Sequence, residues 1–237
     1  MPKARYPKHP FDLEHGTDTG GLTPGPELKT GHAHDKHNTA YYGIAPSLFR
    51  RLIAQWKQTK PPHALGKYSF IDFGAGKGRA MLLASEFNFK QVIGVELHPE
   101  LVKKCRRNLR IWDKKNKQSQ ALQNIKPIHL IEGDATEFIY PEGPCLVYLF
   151  NPFGAPVLRR VLKAIEKRKG DVDILYVNHE RQSVIKSRSS FKQLWRGNIP
   201  MSSLDAIVDL QIINSQLDGE YGSTGDEACS IYRLKGK

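Results

Sequence analysis

The stretch that decides the fold is DFGAGKGR at residues 72–79, in which three glycines alternate with other residues. It overlaps the apolar run Ser69–Phe73 and precedes a segment with helical spacing of apolar residues, from Met81 to Phe87. Glycines between a strand and a helix permit a tight turn and let a ligand approach the backbone without meeting a Cβ atom. The stretch therefore predicts a ligand-binding turn in an α/β fold.

The glycine spacing separates this turn from two common nucleotide-binding motifs. A dinucleotide-binding fingerprint requires G-x-G-x-x-G or G-x-G-x-x-A, and here the last position is Arg79. A phosphate-binding P-loop has more widely spaced glycines followed by Lys and Ser or Thr, and this stretch has neither feature. What remains is G-x-G-x-G with an acid, Asp72, two residues before the first glycine.

Apolar runs and helical periods alternate along the rest of the chain. Short apolar runs predict strands at Ser69–Phe73, Val92–Glu96, Ile128–Ile131, Leu146–Phe150 and Ile174–Val177. Helical periods begin at Pro46, after the glycine turn, at Pro99 and at Pro156. Repeated strand–helix units imply a parallel sheet with helices on both of its faces.

Two further apolar runs, Ala206–Ile213 and Ala228–Leu234, are predicted to be the last strands. The loop between them is too short for a crossover helix, so they are expected to pair as an antiparallel hairpin. The prediction is an α/β fold with a Rossmann-like, mostly parallel seven-stranded sheet and a C-terminal antiparallel hairpin strand.

The first part of the chain has a different composition. Residues 1–45 contain five of the nine histidines and several prolines, with no helical or strand period. This composition indicates a polar N-terminal extension, either a lid over a site or a partly disordered arm. Residues 46–237 are predicted to be the folded domain.

Composition narrows the class of protein further. The hydrophobic fraction of 39% and the charged fraction of 25% are ordinary for a soluble globular protein. No apolar run approaches the length of a membrane helix, and no apolar segment follows Met1 as in a secretory signal. Three widely spaced cysteines have no metal-ligand spacing and are expected to be reduced thiols in a cytoplasmic protein.

The acid-led glycine turn resembles motif I of class I S-adenosylmethionine-dependent methyltransferases, and three further motifs of that family follow in order. Glu96 ends the second strand, where the family binds the ribose hydroxyls. Gly133-Asp134-Ala135 follows the third strand, where an acid of the family meets the adenine amino group. Residues 151–154, Asn-Pro-Phe-Gly, resemble motif IV. The resemblance covers about residues 68–234.

This resemblance implies that the cofactor is S-adenosylmethionine and that residues 46–237 form the methyltransferase domain. The residues that it assigns to cofactor binding are Asp72, Gly74, Ala75, Gly76, Gly78, Glu96, Asp134, Ala135 and Asn151. The N-terminal stretch, including Phe11–Gly20 and Tyr41-Tyr42-Gly43, also resembles the leader of bacterial methyltransferase-like proteins of unassigned substrate.

Asn151 and Phe153 are the predicted catalytic residues. Together with Pro152 they resemble the (Asn/Asp)-Pro-Pro-aromatic signature of amino-group methyltransferases, although the second proline is missing. In that signature the Asn carbonyl accepts a hydrogen bond from the amine, and the aromatic ring packs against it. The expected acceptor is a nitrogen of a protein side chain or of a small molecule. For a lysine acceptor, Phe153, Tyr41 and Tyr42 are candidates for an apolar channel that tolerates a cation, and ordinary packing is the alternative.

Two other functions are left open by the sequence: a nucleic-acid amino-group methyltransferase, and a non-catalytic module that binds S-adenosylmethionine. The net charge of +12 agrees with an anionic partner, but it also keeps a protein soluble. Basic residues load one face of the helix after Glu96: Lys103, Lys104, Arg106, Arg107, Arg110, Lys114, Lys115 and Lys117. Trp112 is the one aromatic residue among them, which argues against a platform for stacking nucleic-acid bases.

A histidine-rich stretch, His32-Ala33-His34-Asp35-Lys36-His37, contains residue types that bind metals. No matching cluster elsewhere in the sequence completes a site, and methyl transfer to nitrogen needs no metal. The stretch is therefore expected to make solvated loop or lid contacts, with no metal bound.

Overall fold

The structure is a computed structural model that describes residues 8–118, 127–216 and 225–235 of the chain. The strands are β1 (Leu22–Thr23), β2 (Tyr41–Tyr42), β3 (Ser69–Phe73), β4 (Gln91–Glu96), β5 (Ile128–Glu132), β6 (Cys145–Phe150), β7 (Val172–Val177), β8 (Phe191–Pro200) and β9 (Asp226–Leu234). The helices are α1 (Pro10–His15), α2 (Pro46–Gln58), α3 (Arg79–Ser85), α4 (Pro99–Gln118), α5 (Ala155–Lys167), α6 (Gln182–Lys186) and α7 (Ser203–Gln216).

The central sheet has seven strands in the order β5-β4-β3-β6-β7-β9-β8. The first five strands in this order pair in parallel, and β9 pairs antiparallel with both β7 and β8. Chain order reverses between β3 and β6, and ligands of such sheets bind in the crevice at the carboxyl ends of the strands where the order reverses. The predicted α/β fold with a mostly parallel seven-stranded sheet is confirmed.

Helices cover both faces of this sheet. One hydrophobic core joins the sheet to α2, α3 and α4, and a second joins its other face to α5 and α6. The helical period predicted after Pro46 buries Leu48, Phe49, Leu52 and Trp56 completely. The glycine turn therefore lies between a strand and a helix that belong to these packed layers.

The predicted hairpin between Ala206–Ile213 and Ala228–Leu234 is wrong, although β9 does pair antiparallel with another strand at the sheet edge. Ala206–Ile213 lies in helix α7, and the strand that pairs with β9 is β8. Ser202 caps this helix by accepting a hydrogen bond from the Asp205 backbone N–H at 3.2 Å. Among residues 203–211, for which burial is described, those of α7 that turn inward are Asp205, Val208 and Asp209, at helical spacing.

The reason for the error lies in both segments. On α7 the apolar residues Ile207 and Leu210 are exposed, so the apolar run does not follow the buried face. Strand β8 is mostly polar or partly exposed and carries a bulge between Gln193 and Trp195, so it shows no apolar alternation. Strand β8 lies at the edge of the sheet and is held there by hydrogen bonds to β9. Its sequence has no run of buried apolar residues that would identify it as a strand.

None of the helices in the described ranges combines the length and the apolar character needed to cross a membrane.

Ile207 distinguishes the observed helix from the predicted strand, because its side chain is 57% exposed. Helix propensity favours alanine over isoleucine, whereas a strand favours the β-branched residue. We expect Ile207→Ala to leave the free energy of unfolding unchanged or to raise it by about 0.4 kcal/mol, and Ile207→Gly to lie about 1 kcal/mol below the alanine variant. Urea unfolding measures both, and a loss of about 1 kcal/mol in Ile207→Ala would indicate a strand.

Candidate functional site

The glycine turn between β3 and α3 has a backbone that favours glycine at three positions. Gly74, Gly76 and Gly78 have φ angles of 79°, 56° and 90°. A Cβ atom on Gly74 would lie 2.6 Å from the Cβ atom of Pro152, and one on Gly76 would lie 2.1 Å from the ring of Tyr41. The turn is therefore packed directly against residues that are distant in sequence, and no side chain fits between them.

Glu96 lies beside this turn, at the carboxyl end of β4. Its buried carboxylate accepts hydrogen bonds from the backbone N–H groups of Gly76 at 2.7 Å and His98 at 2.8 Å. Burial raises the pKa of Glu96, and these backbone N–H groups partly offset that rise. The carboxylate thus fixes the glycine turn against the end of β4 and keeps lone pairs for a ligand.

A cavity with an empty volume of about 770 Å³ lies at the carboxyl ends of the central strands. Its walls include Gly74, Val95–His98, Gly133–Ala135, Pro152, Phe153 and Asn38–Tyr42. Of the predicted site residues, Gly74, Glu96, Asp134, Ala135 and Phe153 line this cavity together.

Asp72 and Ala75 line a smaller neighbouring cavity with an empty volume of about 270 Å³. The two cavities share Gly74 and Tyr42 as walls. Asp72 is 2% exposed. Burial, and to a smaller extent the charge of Glu96, raises its pKa to about 8.

Three of the predicted residues, Gly76, Gly78 and Asn151, line neither cavity. Gly76 lies under Tyr41, and a Cβ atom on Gly78 would lie 2.6 Å from the Cys105 sulfur. Asn151 is buried and has a φ angle of 40°, which is rare for a residue with a side chain. The side-chain oxygen of Asn151 accepts a hydrogen bond from the Tyr176 hydroxyl at 3.3 Å.

The turn after β6 is bound to the N-terminal extension. The Thr39 hydroxyl donates a hydrogen bond to the backbone carbonyl of Asn151, and the backbone N–H of Gly154 donates to the carbonyl of His37. Asn38 and Phe153 form an isolated antiparallel bridge. Residues 37–39 therefore lie along the turn that carries the predicted catalytic residues.

Asp134 joins the cavity to the histidine-rich stretch. One of its oxygens accepts a hydrogen bond from the Thr136 backbone N–H at 2.8 Å. The other lies 2.8 Å from His34 Nδ1 and 3.8 Å from His32 Nε2, so these three side chains could together hold a metal ion. Arg160 lies 2.8 Å from His34 Nε2. Since a guanidinium only donates, that nitrogen accepts and Nδ1 carries the ring proton, although Nδ1 has no hydrogen bond of ordinary geometry to Asp134. A metal would have to displace this proton.

The sequence did not indicate how residues 9–45 pack against the glycine turn. Arg79, the first residue of α3, forms a buried ion pair with Asp12 at 3.2 Å. Asp12 also accepts hydrogen bonds from the hydroxyls of Thr17 and Thr19. Burial raises the pKa of Asp12, but Arg79 and the two threonines outweigh it and lower the pKa below its usual range. The Tyr41 hydroxyl donates to the carbonyl of Thr19 at 2.7 Å.

The basic residues of α4 lie on its exposed face. Trp112, the aromatic residue among them, is buried and stacks on Phe11 of α1. It is not available to stack on a nucleic-acid base. Leu101 in the first turn of α4 lines the cavity, whereas none of the basic residues of this helix does.

Comparison with known proteins gives the same architecture. A protein of Escherichia coli provisionally named as a methyltransferase superposes with a TM-score of 0.52 and 12% identity, covering 84% of this chain and 94% of its own. A protein of Pyrococcus horikoshii provisionally named as an RNA methyltransferase gives a TM-score of 0.50 and 19% identity, covering 80% of this chain and 83% of its own. The fold is that of class I methyltransferases. No protein-family model and no curated protein sequence matches the chain.

Asp12 gives a test of the contact between the extension and the glycine turn. We expect Asp12→Asn to lower the free energy of unfolding by about 3–5 kcal/mol, because it leaves the buried guanidinium of Arg79 without its counter-charge. Asp113→Asn removes an exposed ion pair with Lys117 and should cost at most about 0.5 kcal/mol. Equal stability of the two variants in urea unfolding would show that the extension is not anchored through Asp12.

Asp72 gives a test of pH dependence. Its pKa is about 8 in the folded protein against 3.8 ordinarily, so the folded state binds the proton more tightly. The stability that this proton contributes is complete below pH 4 and is lost as the pH rises to 8. We expect Asp72→Asn to gain melting temperature relative to the native chain at pH 8.5, and to gain least at pH 4.5. Glu100→Gln changes an exposed residue of α4, and its melting temperature should differ from that of the native chain by the same amount at both pH values. If the melting temperatures of Asp72→Asn and the native chain differ by the same amount at both pH values, the raised pKa is contradicted.

Proposed function

We propose that this protein binds S-adenosylmethionine in the larger cavity and transfers its methyl group to a nitrogen of a protein side chain or of a small molecule. One observation carries the proposal. The cavity lies beside the glycine turn where strand order reverses, and its described lining holds two carboxylates, Glu96 and Asp134, but no lysine or arginine.

That set of charges favours one class of nucleoside cofactor. A dinucleotide or a nucleoside triphosphate would place its phosphates against two carboxylates, with no lysine or arginine in the described lining to compensate them. S-adenosylmethionine has no phosphate, and its sulfonium and ammonium groups outnumber its single carboxylate, so it is a net cation. Its hydroxyl, amino and cationic groups match acidic acceptors, so the residues present fit this cofactor.

The three acidic residues among the predicted cofactor residues each have a chemical part in this proposal. The lone pairs that Glu96 keeps beside Gly76 and His98 accept hydrogen bonds from the ribose hydroxyls. The carboxylate of Asp134 accepts from the adenine amino group while Thr136 holds its orientation. Asp72 lines the smaller cavity, and its carboxyl would lose its proton, and so supply negative charge, once the cationic part of the cofactor lies beside it.

Catalysis by the protein is then mainly alignment and exclusion of water. When bound, the cofactor supplies an electrophilic methyl group. Asn151 is held by Tyr176 through its side chain and by Thr39 through its backbone, so the turn that would orient the acceptor is fixed from two sides. Phe153 lines the cavity and bars water from this end.

A nucleic-acid acceptor is the second candidate, and the exposed basic face of α4 favours it. Its weakness is that none of the basic residues of this helix lines the cavity and that Trp112 is buried. Titration of the cofactor-loaded protein with RNA at low and at moderate salt distinguishes the two, because a phosphate-dependent affinity falls steeply with salt.

Glu96 and Glu132 allow a matched test of cofactor binding, because they are paired neighbours on β4 and β5. Glu96 lines the cavity, whereas Glu132 is exposed and pairs with Arg106. We expect S-adenosylhomocysteine to bind the native chain in calorimetry and NAD not to bind. Glu96→Gln should weaken the affinity about tenfold or more, because charge-assisted hydrogen bonds to the ribose are lost. Glu132→Gln should keep the native affinity.

Two results would overturn the proposal. Absence of heat and of any melting shift with S-adenosylhomocysteine at millimolar concentration would reject a cofactor site. Equal affinities of the folded Glu96→Gln and native proteins would place the ligand elsewhere.

A further inference from the structure

Two histidines of the N-terminal extension face the Asp134 carboxylate at the wall of the larger cavity. His34 and Asp134 both line that cavity. His34 Nδ1 lies 2.8 Å from Asp134 Oδ2, and His32 Nε2 lies 3.8 Å from the same oxygen. The side chains of His34 and Asp134 are 13% and 9% exposed, so solvent screens their attraction only weakly. The extension therefore contacts the acidic residue to which the adenine is assigned.

Hydrogen bonds on the far side of each ring decide which nitrogen carries the proton. The His34 backbone N–H donates to His32 Nδ1 at 3.2 Å, so the proton of the neutral His32 ring is on Nε2. Arg160 lies 2.8 Å from His34 Nε2 and can only donate, so the proton of the neutral His34 ring is on Nδ1. Both ring N–H groups are therefore on the side of Asp134.

This arrangement of protons disfavours a metal ion among the three side chains. A histidine binds a metal through the lone pair of a ring nitrogen, and the two nitrogens that face Asp134 both carry protons. A metal would require each ring to move its proton to the other nitrogen, which already faces a donor. The same protons suit a carboxylate, because N–H groups are attracted to its negative charge.

The loop that carries the two histidines is held by hydrogen bonds of its own. The carboxylate of Asp35 accepts from the backbone N–H groups of Thr30 and Gly31 and from the Thr30 hydroxyl. The carbonyl of His37 accepts from the Gly154 N–H, which binds the loop to the turn after β6. The position of both rings is therefore set by contacts other than their approach to the carboxylate.

Asp134 is held at both of its carboxylate oxygens. Oδ1 accepts a hydrogen bond from the Thr136 N–H at 2.8 Å, and Oδ2 faces His34 Nδ1. The contact with His34 is short, but it is an electrostatic contact without the alignment of an ordinary hydrogen bond. A carboxylate has about four lone-pair positions, so positions remain for the amino group of a ligand.

We propose that His34, with Arg160 behind it, is a positioning residue that holds the Asp134 carboxylate in the orientation that accepts the adenine amino group. The inference rests on the proposed function and adds that the N-terminal extension sets the base specificity of the cavity. A purine with an oxygen in place of the amino group would direct that oxygen at the carboxylate. A carboxylate that is held in place rejects such a ligand more strongly than one that can turn away.

The test compares two ligands by calorimetry with the full chain, in buffer that contains EDTA. S-adenosylhomocysteine carries the amino group, and S-inosylhomocysteine carries an oxygen in its place. We expect the native chain to prefer the adenosyl ligand about a hundredfold or more. His34→Leu should weaken the adenosyl ligand about tenfold and leave the inosyl ligand nearly unchanged, because the carboxylate is then held at one oxygen only. His34→Asn, whose amide N–H can replace the ring N–H, should recover most of the preference.

Arg160 and Arg159 give a matched pair of variants on the exposed face of α5. Arg160→Ala removes the donor that fixes the proton of His34, so the preference for the adenosyl ligand should fall about threefold. Arg159→Ala removes the same charge one residue away. Arg159 accepts a hydrogen bond from Arg188 through its backbone carbonyl, which the variant keeps, so both affinities should stay at their native values.

The outcomes separate this inference from the proposed function. No binding of S-adenosylhomocysteine to the native chain overturns the proposed function. If it binds, equal native affinities for the two ligands, or a native preference in folded His34→Leu, overturn the inference alone.

Three further results also decide the inference. Equal weakening of both ligands in His34→Leu would show a merely structural role and overturns it. Loss of native affinity on addition of EDTA would place a metal between the three side chains and also overturns it. Melting temperatures show whether His34→Leu is folded; if it is not, an unchanged preference in Arg160→Ala, a change at an exposed residue, overturns the inference.

Discussion

The rest of the site depends on the absence of a side chain at Gly74 and at Gly76. Because no Cβ atom intervenes, Pro152 and the ring of Tyr41 approach the turn directly. Glu96 then ties the turn to the end of β4 through the Gly76 N–H group. The glycine turn, the turn after β6 and the N-terminal extension are thereby assembled around one point at the reversal of strand order.

Charge is distributed unevenly between the surface and the interior of this molecule. The net charge is +12, and the basic residues of α4 are exposed. The carboxylates of Glu96 and Asp134 line the larger cavity, and Asp72 lines the smaller one. The two carboxylates of the larger cavity favour a cationic ligand there, and this agrees with a sulfonium cofactor.

The sequence predicts the parallel strands and the glycine turn because local patterns encode them: buried runs such as Leu146–Phe150 are apolar throughout, and glycines follow β3 directly. It does not predict β8, whose polar residues are held at the sheet edge by hydrogen bonds. The Asp12–Arg79 pair and the bond from Thr39 to Asn151 join residues far apart in sequence, and no local period marks them. The extension therefore looked like a loop, although its buried groups form one wall of the site. Whether it moves as a lid stays a prediction.

The most direct test of the account is a crystal structure of the protein with S-adenosylhomocysteine. The account predicts the ribose hydroxyls within hydrogen-bond distance of the Glu96 carboxylate, the adenine beside Asp134 and Ala135, and the sulfur facing the junction with the smaller cavity. A ligand bound outside the cavity, or one whose ribose contacts neither oxygen of Glu96, would contradict it.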